Sequence, residues 1–111
     1  MISIIIPVHN GALWLAEAIE SALNQTITDE VIIINDGSID NSLKIANSYK
    51  ENLRLKIISQ TNRGLASARN TGIMNATGEW VLPLDADDIL LNCIPKIKEV
   101  ILKTDSDIIA P

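Results

Sequence analysis

The chain is 111 residues long, 47% apolar, only 3% aromatic, and carries a net charge of −5. That length holds one modest domain with a real core, while the acidity and the shortage of stacking rings exclude nucleic acid or an anionic membrane as the main partner. A lone cysteine, Cys93, excludes an internal disulfide and reads as a buried thiol; with no run near the ~20 apolar residues of a membrane span and no signal peptide in Ile2–Val8, the expectation is a soluble, cytoplasmic chain.

Ser3–Val8 is β-branched and nearly all apolar, which predicts a buried parallel strand with Pro7 near its end, where a missing N–H is tolerable. His9-Asn10-Gly11 forms a loop. Leu15, Ala18, Ile19, Ala22 and Leu23 then make an apolar helical stripe over Ala12–Asn24. Glu30–Ile34 predicts a second strand that breaks into a turn at Asn35-Asp36-Gly37-Ser38. Asp40 or Asn41 can cap a helix over Ser42–Lys50, with Leu43, Ala46 and Tyr49 on one side of it. The third strand, Arg54–Ser59, sets Leu55 and Ile57 against Lys56, a pattern that places it near a sheet edge.

Gln60–Gly64 is a polar loop. Leu65–Asn75 predicts a helix whose small residues, among them Ala66, Ser67, Ala68 and Gly72, permit close approach of backbone or ligand. Trp80–Leu84 predicts a buried fourth strand. Pro83 removes a ladder donor inside it, so an irregularity is expected just before the residues that follow. A further helix over Leu90–Lys103 and the start of a strand at Asp107–Ala110 close the chain. Strand and helix alternate throughout, which predicts an α/β domain: a three-layer α/β/α sandwich around a mainly parallel sheet. In such sheets ligands bind outside the carboxyl ends of the strands, where the polar loops after all four strands fall.

The fourth loop holds three carboxylates within four residues, Asp85, Asp87 and Asp88. Two unit charges about 4 Å apart repel by roughly 4 kcal/mol at an effective dielectric near 20, so such a cluster calls for a positive partner. If the strand continues, Asp85 and Asp87 share one side, roughly 6.6 Å apart. They can flank one hard divalent cation, for which oxygen-only ligands suit Mg²⁺ or Mn²⁺. A helix cap and a turn are the plainer alternative.

Taken together, Pro7-Val8-His9-Asn10, Asn35-Asp36-Gly37-Ser38, Asn62-Arg63-Gly64 with Ala68-Arg69-Asn70-Thr71-Gly72, and Asp85-Ala86-Asp87-Asp88 resemble the inverting nucleotide-sugar glycosyltransferases of family 2. The resemblance runs to about residue 100. It implies the A-type glycosyltransferase fold, with residues 1–111 as the Rossmann-like, nucleotide-sugar-binding part of a domain truncated at its C-terminus. It also implies that Pro7, Val8, His9 and Asn10 line the base and ribose pocket. Asp36 would accept a hydrogen bond from a ring N–H, favouring uracil or thymine, and Gly37 and Ser38 would complete that pocket. Asn62 and Gly64 would lie over the nucleotide, with Arg63 or Arg69 near the base or phosphates; pairing an acid across helices is the alternative for Arg69. Asp85, with Ala86, would hold the ribose or a metal-bound water, and Asp87 would ligate the Mn²⁺ or Mg²⁺ that bridges the diphosphate.

The donor implied is a UDP-sugar and the acceptor a glycan or lipid-linked hydroxyl, commonly in cell-wall, capsule or lipopolysaccharide assembly, with membrane association through parts absent here. No catalytic residue falls in this stretch; the base is expected beyond residue 111. An apolar face and strand edge uncovered by truncation would lead to a homodimer. Two departures stand out. His9 occupies a position that is usually Tyr or Phe, leaving stacking, acid–base and plain loop roles open. Asn35 replaces the first of two consecutive acids. A phosphoacceptor receiver domain would need acids directly after the first strand, and a dinucleotide-binding oxidoreductase would need Gly-x-Gly-x-x-Gly there; Pro7–Gly11 supplies neither. A nucleotide-binding module without catalysis remains the alternative reading.

Overall fold

The computed structural model describes residues 2–25 and 28–84. Asp85, Ala86, Asp87, Asp88 and the elements expected from Leu90 onward lie outside the described residues. Within them the order is β1 (Ile2–Val8), α1 (Ala12–Leu23), β2 (Thr28–Asp36), α2 (Ser42–Asn47), β3 (Leu55–Gln60), α3 (Leu65–Asn75) and β4 (Trp80–Pro83). The strands pair in parallel in the order β3-β2-β1-β4, with β3 at an edge as its mixed pattern predicts.

β1 is buried at every position, because helices cover both faces of the sheet and each pleat direction therefore meets apolar side chains. Ile2, Ile4, Ile6 and Val8 join Val31 and Ile33 in a core with Leu15, Ala18, Ile19 and Ala22 of α1 and Ala46 of α2. The opposite pleat, Ile5 with Ile32, Ile34 and Val81, packs around Ala68 of α3. This gives the three layers expected: α1 and α2 on one face, α3 on the other. Two steps carry the chain outward from β1 to β3; the crossover through α3 then sets β4 on the other side of β1. The order reverses at the carboxyl ends of β1 and β4, the place where open α/β sheets leave a crevice.

α3 lies close to the sheet because it is built from small residues. A Cβ added at Gly72 would collide with the Ile5 side chain. At the amino end of the sheet, buried Glu30 accepts from Ser3 Oγ at 2.9 Å and from the Thr77 amide at 3.0 Å, and pairs with Lys56 Nζ at 2.6 Å. Burial pushes the Glu30 carboxyl up, but the hydrogen bonds from Lys56, Thr77 and Ser3 and the Lys56 charge together hold it below its ordinary value. Arg54 ties the start of β3 to α1, donating to the Leu23 carbonyl at 2.8 Å at the helix's negative end.

Three expectations are corrected. β2 does not break at Ile34 but runs through Asn35 and Asp36, which pair with Ser59 and Gln60 of β3; polar side chains at a strand's carboxyl end are compatible with a ladder when the neighbouring strand continues beside them. α2 stops at Asn47 rather than Lys50, passing into a turn in which Ser48 Oγ bonds back to the Ile45 carbonyl at 2.6 Å. Its buried face is Ser42 and Ala46, while Leu43 is exposed. Pro83 causes no irregularity in the pairing with β1: it stands in register with Ile5, and the Leu84 amide donates to the Ile5 carbonyl at 2.7 Å. Adjacent residues direct their amides to opposite sides of a strand, so the missing N–H of Pro83 falls on the side away from β1.

Gly72→Ala should therefore lower stability by about 1–3 kcal/mol, the usual cost of overpacking, measured by urea unfolding, with Gly72→Val worse.

Candidate nucleotide-binding site

The carboxyl rim of the sheet is organised by one residue. Asp36, the last residue of β2, is only 3% exposed. Its carboxylate takes three hydrogen bonds from the segment after β3: Oδ1 accepts from Gln60 Nε2 at 2.9 Å and from the Arg63 amide at 2.8 Å, and Oδ2 accepts from the Gly64 amide at 2.9 Å. Gly64 is the N-cap of α3, so the carboxylate lies at the positive end of that helix. Asp36 also holds the loop after β1, because its carbonyl accepts from His9 Nδ1 at 2.7 Å. That bond puts the imidazole proton on Nδ1, and Nε2 accepts from Asn10 Nδ2 at 3.3 Å.

Asn10 sews the first loop to the second. Its φ of 54° is left-handed, a region that Asn tolerates better than most residues. Its amide donates to Ser38 Oγ at 2.9 Å, and its Oδ1 accepts from the Ile39 amide at 2.8 Å. Asp40 extends the seam to two helix starts: Oδ2 accepts from the Ala12 amide at 3.1 Å, in the first turn of α1, and Oδ1 from the Ser42 amide at 2.9 Å, in the first turn of α2. The N-cap position of α2 is Asn41, but the side-chain bond to its first turn comes from Asp40. Buried Ser42 closes the seam by accepting the Gly11 amide at 3.0 Å.

Gly37 is required twice over. Its φ is +69°, and a Cβ there would lie 2.7 Å from the amide nitrogen of Asn62. The third loop therefore crosses directly over the second. Asn35 is buried beside Asp36; its Oδ1 accepts the Ser38 amide at 3.1 Å and its Nδ2 points to Ser59 Oγ at 3.5 Å. A neutral amide there avoids a second buried charge next to Asp36 and offers a donor that an acid lacks.

Burial raises the Asp36 carboxyl, but the donors Gln60, Arg63 and Gly64, with the nearby His9, outweigh it and hold it below the usual aspartate value. Asp36 is accordingly an ionised acceptor. Counting roughly four lone-pair positions on a carboxylate, the three bonds made by the described residues leave one position, on Oδ2.

The structure thus brings together His9, Asn10, Asp36, Gly37, Ser38, Asn62 and Gly64 on one rim, with Pro7 and Val8 buried in β1 beneath them. Arg69 lies half-buried on α3. Asp85, Ala86 and Asp87 fall outside the described residues; Leu84, the last described residue, still bonds to β1. Gln60, Thr71, Asp40 and Ser42 were not singled out for the site from sequence. Gln60 stands opposite Asp36 in the β2–β3 register, a signal that only the pairing reveals. Among the described residues no group of three or more acidic, His or Cys side chains forms a metal site, and no helix is long and apolar enough to cross a membrane.

A parallel sheet with this order reversal and this polar rim is the nucleotide-binding half of an A-type glycosyltransferase fold. The chain belongs to glycosyl transferase family 2, whose sequence profile matches residues 3–111. It is 46% identical over 90 residues to the glycosyltransferase EpsJ of Bacillus subtilis, covering 79% of this chain and 26% of that protein. It is also 46% identical over 92 residues to the chondroitin synthase of Pasteurella multocida, covering 81% of this chain and 10% of the synthase. The chain therefore spans about a quarter or less of these relatives. Among solved structures it resembles S. aureus TarS in complex with UDP-GlcNAc, with a TM-score of 0.78 and 31% identity over 89% of this chain and 30% of the other. A mannosyltransferase of Pyrobaculum calidifontis in complex with GDP-Man and Mn²⁺ gives a TM-score of 0.75 and 28% identity, covering 83% of this chain and 29% of the other.

The unfolded Asp36 carboxyl takes up its proton at higher pH than the folded one. Its contribution to stability is complete above the ordinary aspartate value and is lost as pH falls through the lower folded value. Urea midpoints followed from pH 7 downward should show this loss, and Asp36→Asn should remove part of it while costing about 1–3 kcal/mol at pH 7. Asp40→Ala, which strips a cap from α1 and α2 together, should cost about 1–2 kcal/mol by the same measurement.

Proposed function

We propose that this chain is the donor-binding portion of a glycosyltransferase that binds a UDP-sugar, with a divalent cation, for inverting transfer to an acceptor hydroxyl. The observation that carries this reading is the fixed, ionised carboxylate of Asp36 at the carboxyl rim, with one acceptor position left on Oδ2. Uracil offers a ring N–H at N3 to such an acceptor. Cytosine and adenine present a lone pair at the corresponding ring nitrogen and meet it with repulsion. His9 and Asn10 flank Asp36 from the first loop, and Asn62 and Gly64 from the third, so a base set against Asp36 is bounded on two sides. The solved relatives support the class of ligand, since TarS was crystallised with UDP-GlcNAc and the mannosyltransferase with GDP-Man and Mn²⁺.

Asp87, with Asp85, is the proposed seat of the cation. Their donor set is oxygen alone, which fits Mg²⁺ or Mn²⁺. A cation bound there supplies charge neutralisation for the departing diphosphate. Two carboxylates leave an octahedral ion short of ligands until diphosphate oxygens arrive. The general base and the acceptor-binding residues are proposed to lie in the part of the relatives' length that this chain does not cover. Asp36, Asp40 and Glu30 are engaged in hydrogen bonds within the fold, and a base must lie within reach of the attacking hydroxyl.

Calorimetric titration tests the reading. UDP should bind more tightly with Mn²⁺ present, ADP should not compete, and Asp87→Ala should abolish the Mn²⁺ effect on UDP binding. Equal binding of ADP and UDP would refute the role of Asp36, and an unchanged Mn²⁺ effect in Asp87→Ala would refute the metal assignment.

A further inference from the structure

Behind Asp36 stands a pair of polar side chains, Gln60, which donates to its carboxylate, and Thr71, which has no part in the donor site as described. Thr71, in the second turn of α3, sets its Oγ1 at 2.7 Å from Gln60 Oε1, and Gln60 sets its Nε2 at 2.9 Å from Asp36 Oδ1. Both Gln60 and Thr71 are half-buried. Thr71 Oγ1 also lies 3.0 Å from the Ser67 carbonyl, so its one proton has two acceptors to choose from, the Gln60 contact being the shorter. Each state of this hydroxyl has a consequence at Asp36. When it donates to Gln60, the Gln60 oxygen is occupied and the amide N–H faces the carboxylate. When it donates to Ser67 instead, its lone pairs attract the Gln60 amide nitrogen, which turns the Gln60 oxygen toward Asp36; two acceptors then face each other unless a proton is shared between them.

We infer that the Thr71–Gln60 relay is a specificity-setting device for the base: by presenting Gln60 Nε2 to Asp36 it holds this carboxylate as a pure acceptor, aligned so that its remaining Oδ2 position reads a ring N–H. Gln60 and Thr71 are positioning residues and touch no ligand themselves. The relay links α3, on one face of the sheet, to the last residues of β3 and β2, so the orientation of a rim carboxylate is set by a helix that approaches the sheet closely at Gly72. The inference rests on the proposal that Asp36 reads the base.

The test is the ratio of CDP to UDP dissociation constants at pH 7, measured by calorimetry on the 111-residue chain with Mn²⁺ present. Gln60→Glu replaces the N–H donor at Oδ1 by a second carboxylate, and a like charge that close raises the proton affinity of Asp36; a proton taken from solvent onto Asp36 Oδ2 is a donor that cytosine N3 can accept, so the preference for UDP should fall about tenfold or more. Thr71→Val keeps the side-chain shape but frees Gln60, and the preference should fall about threefold. Thr71→Ser, which restores the hydroxyl, should return the native ratio. A merely structural role would weaken UDP and CDP alike and leave the ratio unmoved. If the native chain prefers UDP and Thr71→Val and folded Gln60→Glu keep its ratio, the relay inference is overturned while base reading stands. Should Gln60→Glu not fold, Thr71→Val against Thr71→Ser decides. If the native chain shows no preference for UDP, base reading fails and the relay role falls with it.

Discussion

The rim of this molecule depends on the bonds made by Asp36. Its carbonyl holds the loop after β1 through His9, and its carboxylate holds the loop after β3 through Gln60, Arg63 and Gly64. Three segments distant in sequence are thereby fixed relative to one another by a residue buried at the end of a central strand. A carboxylate in that position is costly to bury unless it is satisfied, and here backbone amides supply two of its three donors. The arrangement is preorganised: the donors that stabilise the charge also fix the loops of the rim to one another.

The supporting structure is a consequence of packing rather than of polar contacts. Isoleucine on both pleats of β1 and β2 makes a sheet that must be covered twice, and the crossover through α3 covers the second face and moves the chain to the far side of β1. Gly72 lets α3 settle against Ile5, which carries Thr71 to within reach of Gln60. Packing on one face of the sheet thus sets the geometry of a hydrogen bond at its rim.

A similar economy appears at the helix starts. The N-cap positions of α1, α2 and α3 make no side-chain cap bond of their own. Asp40 serves α1 and α2 from one carboxylate, while the Gly64 N-cap amide of α3 is bonded to Asp36. Helix termini that a local sequence rule would cap separately are instead capped by the loops that form the site, so stability of the helices and order of the rim are coupled.

Much of this was legible in the residues themselves. Runs of β-branched residues alternating with 3.6-period stripes specify a parallel α/β sandwich, because both signals arise from side chains only a few positions apart along the chain. Leu65–Asn75 was placed to the residue, and the loops after β1, β2 and β3 were assigned to the same rim because strand direction alone puts them there. Family membership likewise followed from short motifs in fixed order. What tertiary structure alone decided are the relations between strands. That Asn35 and Asp36 remain in β2, that Pro83 sits harmlessly in register, that Gln60 faces Asp36 and Thr71 faces Gln60 all depend on which strand lies beside which and in what register. Register is set by burial on both faces of the sheet at once, a property of the assembled layers that no local window of sequence contains.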